Sequence, residues 1–514
     1  MEYLDERKEQ LRTKTVHSAR PYILDQGYFH DGFVLPGRSM PGDFNIDLRR
    51  ADWTQRFPVS RTNSLDIVVD KSNHGIRRYS LIHPYIYWHL AIEFLDDFDR
   101  IKGLLLEETG VDVYSIPNFE DNDISEGWQH FKRIDLAQSL WGDFEYVATC
   151  DIYNFYESIY THSIAWAIET KDVAKASRGT ELIGNRIDKL FQNAHDGQTN
   201  GIPTGNVLSD LAAELILKDV DRLLANFIRA EGIKALRFRD DYRFVCKSKD
   251  QALKIIDELA YQLNKEYGLT LNKSKTGIQT VASYIQSFAL DYKLPGLIQT
   301  TPMSDVFTWS SFYGFLVDSR NADKKRRGLF DAHVESFVNK LRSEGPPSNE
   351  DDDLVNWIDT IYVLLIDTIE SGISTSPHLY IVLDFLLSEL GDSAKRTAIL
   401  DNLAGKVENT NNQVRIVWTY ALLAHFDEER AGALIQVVDS DLLRFIVESG
   451  TADIDKFSSR DPIPEEDMEI LRRIQIFDFN FVNDAHSIGE DELLLGALDE
   501  MLYNSLSLSH YMNR

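Results

Sequence analysis

Apolar residues recur at three- and four-residue spacing through NVLSDLAAELILKDVDRLLANFIRAEG, 206–232. Val207, Leu208, Leu211, Ala212, Leu215, Ile216, Val220, Leu223, Leu224 and Phe227 form one stripe, and Gly232 ends it. That period predicts a long amphipathic helix. The same period runs through IHPYIYWHLAIEFLDDFDRI, 82–101, and through QALKIIDELAYQLNKEYG, 251–268, where Gly268 is placed to terminate a helix. FEYVATCDIY, 144–153, LRFRDDYRFVC, 236–246, and LTLN, 269–272, read instead as strands, the middle one alternating on both sides of a polar centre. The order is strand, helix, helix, hairpin, helix, strand, which makes an α+β layer of helices packed on an antiparallel sheet.

Before this block, FVLPGRSMPGDFNIDLRRADW, 33–53, reads as loops and turns. After it, RSEGPPSNEDDD, 342–353, combines Pro-Pro, Gly, Ser and an acidic run, as a linker does. Beyond the linker the pattern is all helical, in segments such as LVNWIDTIYVLLIDTIESG, HLYIVLDFLLSELG, NQVRIVWTYALLAHF and ERAGALIQVVDS. Short connections between them fit a stacked, HEAT-like helical array, although no strict repeat period is present and an irregular helical domain fits equally. The expected organisation is an N-terminal region over 1–140, an α+β core over 141–300, a connecting region over 301–345 and a helical domain over 346–514.

Composition narrows the function classes. At 514 residues and 43% hydrophobic content the chain can build two to four domains with sizeable cores. Two cysteines, Cys150 and Cys246, exclude a disulfide scaffold and a Cys-rich zinc site, and fit a reducing cytoplasm. The first 20 residues carry charge throughout and lack a signal-peptide core, and no uncharged run approaches the ~18 residues of a membrane span. Net charge is −28, yet 33 acidic against 12 basic side chains lie after residue 340, so most of the excess sits there. The first two thirds are close to balanced and hold basic clusters at Arg49–Arg50, Arg77–Arg78, Lys273–Lys275 and Lys324–Arg327. Whole-chain charge therefore does not exclude a nucleotide site in that part.

Four stretches carry candidate chemistry. Asp240 and Asp241 stand at the centre of a strand pattern, where Asp is disfavoured, and a polar hairpin turn would account for them alone. Asp151 ends an apolar strand and is followed by Phe155 and Tyr156. A carboxylate at a strand end beside a hairpin with two more can hold paired Mg²⁺ ions, whereas a single Asp there also suits a helix cap. GIPTGNVLSD, 201–210, sets Gly201, Pro203 and Gly205 ahead of Ser209, either for close backbone approach to a nucleotide or as a plain helix entry. Lys275, after LTLN, could neutralise triphosphate charge or protonate departing pyrophosphate, or be a solvated surface lysine. His162 and His195 lack metal-ligand spacing.

In this order the four stretches resemble motifs A to D of a reverse transcriptase palm: Asp151 with Phe155 and Tyr156, Gly201-Ile202-Pro203-Thr204-Gly205 through Ser209, Phe238-Arg239-Asp240-Asp241, and Lys275-Thr276. GIRRYSLIHPYIYWHLA, 75–91, looks like the basic fingers segment that meets incoming triphosphate, through Arg77 and Arg78. The resemblance implies a fingers and palm fold followed by the helical domain. It implies that Asp151, Asp240 and Asp241 hold Mg²⁺ or Mn²⁺ and that Tyr156 gates against a ribose 2′-OH. Phe155, Gly205, Ser209, Lys275, Arg77 and Arg78 would border a deoxynucleoside triphosphate. Phe238 stands where Tyr is usual, and Tyr153 where bacterial relatives are often basic.

A palm with an acidic helical C-terminus further resembles the bacterial abortive-infection reverse transcriptases, the AbiK-like group with prophage-encoded members. That implies phage defence, homo-oligomers (trimer or hexamer), and untemplated synthesis of single-stranded DNA from dNTPs. In that group the DNA is primed on, and attached to, a protein tyrosine. Tyr3, Tyr22 and Tyr28 are candidates by their N-terminal position alone, and the residue stays unknown. An RNA-templated reverse transcriptase and an inactive palm serving as a helical scaffold are the alternatives.

Overall fold

The structure is a computed structural model. It describes residues 2–28, 38–39, 60–71, 75–119, 127–128, 131, 144–177, 179–284, 378–390, 393–408, 410–444 and 477–478, with isolated helical positions between 312 and 369. The 33–53 loops, the 342–353 linker and the 354–372 helix lie largely outside these residues.

Helix α1 (Glu2–Thr13) leads in. Strands β1 (Leu65–Lys71) and β2 (Gly75–Leu81) pair antiparallel as a hairpin. Helix α2 (Pro84–Asp96) starts with Pro in its first turn, where the missing N–H costs nothing. The continuous helix expected over 82–101 instead breaks at Asp97, whose φ of −115° leaves the helical region, and α3 (Phe98–Leu105) begins anew.

A five-stranded sheet is the centre of the molecule. Its strands are β3 (Val111–Val113), β4 (Tyr146–Asp151), β5 (Lys234–Phe238), β6 (Asp241–Cys246) and β7 (Gly277–Thr280), in spatial order β3-β5-β6-β4-β7. Only β3 runs parallel to its neighbour. The strand expected at LTLN is a single bridge, Ile152↔Leu271, and the edge partner of β4 lies further on, in β7. The long helix α4 (Val207–Glu231) is capped by the Asn206 side chain and closed by Gly232 at φ +62°. α5 (Lys249–Gln262) continues as a π-turn to Gly268, at φ +69°.

Strand alternation splits the two faces of the sheet. Ala148, Cys150, Tyr242, Phe244 and Cys246 join the large core beneath the helices. Val147, Leu236, Phe238 and Val245 face the other way, under Tyr3, Leu4, Tyr114, Phe131 and Tyr284. Phe238 lies 5.0 Å from the Trp128 ring, centroid to centroid, in this apolar cluster. A ring without a hydroxyl suits that setting, because a buried phenol needs a hydrogen-bond partner. The large core continues into the C-terminal helices α6 (His378–Glu389), α7 (Ala394–Val407), α8 (Gln413–Phe426) and α9 (Glu428–Val437), and α8 lies against β1.

One ion network ties α4 to the sheet. Arg237 is fully buried and pairs with Asp221 at 2.9 Å and Glu214 at 2.9 Å, while the Tyr242 hydroxyl donates to Asp221 at 2.9 Å. Removing one member strands the others without compensation. Arg237→Met should therefore destabilise the β5–β6 hairpin by about 3–5 kcal/mol. Amide exchange at β5 and β6 should speed up by roughly two to three orders of magnitude. Unchanged exchange there would show that the network contributes nothing.

Candidate active site

β4 and β6 pair so that Asp151 stands directly opposite Asp241. Residues opposed in this way have Cα atoms ~4.5–5.5 Å apart. Asp240 sits in the two-residue loop between β5 and β6, and its carbonyl accepts from the Ile152 amide at 3.3 Å. The structure thus brings Asp151 to the same end of the sheet as Asp240 and Asp241, which follow it by 89 and 90 positions in the chain. Asp151 is buried, and Asp240 and Asp241 are half-buried.

The electrostatics follow from that crowding. Burial, then the charges of Asp241 and Asp151, push the Asp240 carboxyl up to about 6. Burial raises Asp241 as well, opposed by Arg243. Existing cations answer part of this: Lys275 Nζ donates to Asp151 Oδ2 at 2.7 Å, and Arg243 lies 3.4 Å from Asp241. Asn272 Nδ2 donates to Asp151 Oδ1 at 3.0 Å. With Asp151 turned to Lys275 and Asn272, and Asp241 to Arg243, no group of three or more His, Cys, Asp or Glu among the described residues is gathered as a metal centre. The donor set itself, hard carboxylate oxygens whose negative charge Lys275 and Arg243 only partly offset, fits a divalent cation of the Mg²⁺ type.

The loop carrying Asp240 is strained. Arg239 adopts φ +49°, a region two-residue hairpins usually give to Gly or Asn. Three contacts fix it. The Arg239 amide donates to Ser115 Oγ at 2.8 Å, its carbonyl accepts from Arg237 at 3.2 Å, and its guanidinium reaches Asp210 Oδ2 at 2.6 Å. Asp210 also accepts from the Tyr156 hydroxyl at 2.6 Å. Asp210, Arg239, Ser115 and Asn272 join the site although no motif in the sequence points to them. Arg239, adjoining an Asp pair in a hairpin, was the one detectable signal.

The other expected residues distribute unevenly. Gly205 takes φ +105° and Gly201 φ +84°, so this helix entry does need glycine. Next to Gly205, Thr204 is tied to β2: its Oγ1 donates to the Arg78 carbonyl at 2.7 Å, and its own carbonyl accepts from the Ser80 amide at 3.0 Å. Arg78 is exposed, 3.4 Å from Asp66, and the Arg77 side chain lies outside the described residues. Ser209 is fully buried, with no hydrogen-bond partner for its Oγ among the described residues, and Phe155 is a core residue that also lines the cavity beside Tyr156. Tyr3, Tyr22 and Tyr28 are buried too, Tyr28 donating to the Ile82 carbonyl at 2.5 Å. The exposed tyrosines among the described residues are Tyr153, Tyr160 and Tyr261. His162 pairs with Asp188.

Carboxylates at the adjoining ends of antiparallel strands, a helix entered through a glycine loop, and a hairpin tied to that loop define a palm and fingers arrangement in a mixed α/β, mostly helical chain. Comparison with known proteins places it more closely. A reverse transcriptase domain is present: the family described as reverse transcriptase (RNA-dependent DNA polymerase) matches residues 99–307. The protein is accordingly a nucleotidyltransferase of the reverse-transcriptase-like polymerase class. Among solved structures it is similar to apo telomerase from Candida tropicalis, at 15% identity over 67% of this chain and 70% of that one, with a TM-score of 0.35. It is also similar to telomerase from Candida albicans in complex with a TWJ fragment of telomeric RNA, at 11% identity over 71% and 67%, with a TM-score of 0.32. No curated protein matches the chain. No described helix is long and apolar enough to cross a membrane.

A carboxyl raised in the folded state binds a proton there that the unfolded chain releases, so stability is lost as pH rises through the window between the two values. For Asp240 that window runs from the ordinary carboxylate range, near 4, to about 6. In EDTA, thermal stability of the wild type should therefore fall from pH 4.5 to 6.5 relative to Asp240→Asn. Parallel pH profiles of the two proteins would show that Asp240 is not under charge stress.

Proposed function

We propose that the protein polymerises deoxynucleoside triphosphates, without a template and from a protein hydroxyl, as an abortive-infection reverse transcriptase acting in the cytoplasm. The observation that carries the catalytic part is the Asp151–Asp241 register with Asp240 alongside. The three carboxylates would hold divalent cations, which when bound lower the pKa of the attacking hydroxyl and stabilise charge on the transferring phosphoryl group. The chain's own groups do the rest. The fixed Arg239 turn keeps Asp240 against β4. Lys275, already at Asp151, can turn its ammonium to the departing pyrophosphate. Tyr156 borders the sugar and gates against a 2′-OH.

In each addition the hydroxyl releases its proton to solvent as its oxygen bonds to the α-phosphorus, the bond from that phosphorus to the β,γ-diphosphate breaks, and pyrophosphate leaves. For the first addition the hydroxyl would be a tyrosine's. Tyr153, two residues past Asp151 and 53% exposed, is the nearest in sequence to the carboxylates of the three exposed tyrosines among the described residues. The acidic helical region after residue 340 supports the untemplated reading, since it repels a long duplex. Single-stranded DNA bound to the protein, in a trimer or hexamer, is the assembly this reading implies. A second reading, RNA-templated synthesis, is favoured by the matched family's description as an RNA-dependent DNA polymerase.

Purified protein with Mg²⁺ or Mn²⁺ and labelled dNTPs, but no template, separates the two. Nuclease-labile, protease-sensitive label on the protein supports untemplated, protein-primed synthesis, and product only with added RNA supports the second reading. Asp151→Asn and Asp240→Asn should each lower incorporation by about a thousandfold or more while the fold is kept. Near-normal incorporation by either variant would remove the metal assignment.

A further inference from the structure

Tyr156, Asp210 and Arg239 come from separate stretches of chain and close on one another beside the carboxylates. Asp210 divides its two oxygens, Oδ1 accepting from the Tyr156 hydroxyl and Oδ2 from Arg239 Nη2, both at 2.6 Å. The ion pair is largely shielded, with side chains 18% and 17% exposed, so it is screened less than a surface pair. Arg239 cannot drift, because its backbone is held at φ +49° by Ser115 and Arg237. Asp210 is therefore a rigid mount, anchored to the same turn that carries Asp240.

What that mount holds is a ring without solid packing on every side. Tyr156 borders a cavity of about 30 Å³, shared with Arg7, Asn118, Asp210, Glu214 and Arg239, room for about one or two waters. A ring beside such a space can give way when pressed, unless its far end is tied. One such tie is the hydroxyl's bond to Asp210.

We propose that Asp210, braced by Arg239, is a positioning residue that sets the sugar selectivity of the nucleotide site by holding Tyr156 in place. This rests on reading Tyr156 as the wall that meets a ribose 2′-hydroxyl. A tethered wall excludes the extra oxygen, and an untethered one yields into the cavity and admits it. Hydrogen bonds to charged groups are strong enough for such a tie to be worth about tenfold in selectivity.

The test uses the full-length protein with Mn²⁺. The preference for dATP over ATP is measured as a ratio of kcat/KM and, independently of turnover, as a ratio of Kd by displacement of a fluorescent dATP. Asp210→Ala and Tyr156→Phe should each lower the preference by about tenfold or more, and the double variant should lower it no further than either alone. Asp210→Asn, which keeps an oxygen for the hydroxyl, should retain more of the preference than Asp210→Ala. A purely structural role would lower both nucleotides together and leave the ratio unmoved. Wild-type preference in Asp210→Ala, with preference lost in Tyr156→Ala, overturns the role of Asp210 and leaves the gate standing. Unchanged preference in Tyr156→Ala, or no preference in the wild type, overturns the gate and this inference with it. Should Asp210→Ala fail to fold, preserved preference in Tyr156→Phe is the overturning result.

Discussion

Three acidic side chains confined to one end of a sheet repel one another, and the structure must hold them there against that repulsion. The register that places Asp151 opposite Asp241 creates the problem, and the Arg239–Asp240 loop sharpens it. Arg239 at φ +49° is a conformation that costs on the order of 1–3 kcal/mol for a residue with a side chain. It persists because Ser115, Arg237 and Asp210 hold it from three directions, and Arg237 is itself locked by Asp221 and Glu214 on the long helix. The ion network buried beneath the sheet and the carboxylates above its end are thus two ends of one hydrogen-bonded system.

The same economy of connection extends outward. Thr204 joins the glycine loop to the β1–β2 hairpin through both its side chain and its carbonyl, and the other strand of that hairpin rests against α8 of the C-terminal region. The helical region is therefore in contact with the element expected to meet the triphosphate. The hydrophobic core that runs from the sheet into these helices makes the contact part of one packed body.

The sequence was informative wherever a single period governed the outcome. The apolar stripe over 206–232 yielded Val207–Glu231 almost to the residue, and Gly232 and Gly268 both occupy the left-handed positions that end helices. The Asp-Asp hairpin and the strand ending at Asp151 were legible for the same reason. LTLN misled because a short apolar run says nothing of whether a partner strand is available: β7 takes the edge of β4, and Leu271 is left with one bridge. Tyr3, Tyr22 and Tyr28 are buried although they lie near the start of the sequence, since position in the chain does not predict exposure. Asp210 and Asn272 were invisible because each acts through a partner more than 25 residues away, and no local pattern records that. Ser209 shows the converse, a motif residue whose side chain faces the core.

The central claim is that the ends of β4 and the β5–β6 hairpin form one divalent-cation site. Anomalous diffraction from crystals soaked in Mn²⁺ and dATP tests it directly. The account predicts an anomalous peak within about 2.5 Å of carboxylate oxygens from both Asp151 and Asp240, with Lys275 withdrawn from Asp151. A peak elsewhere, or none at a concentration that supports synthesis, would contradict it.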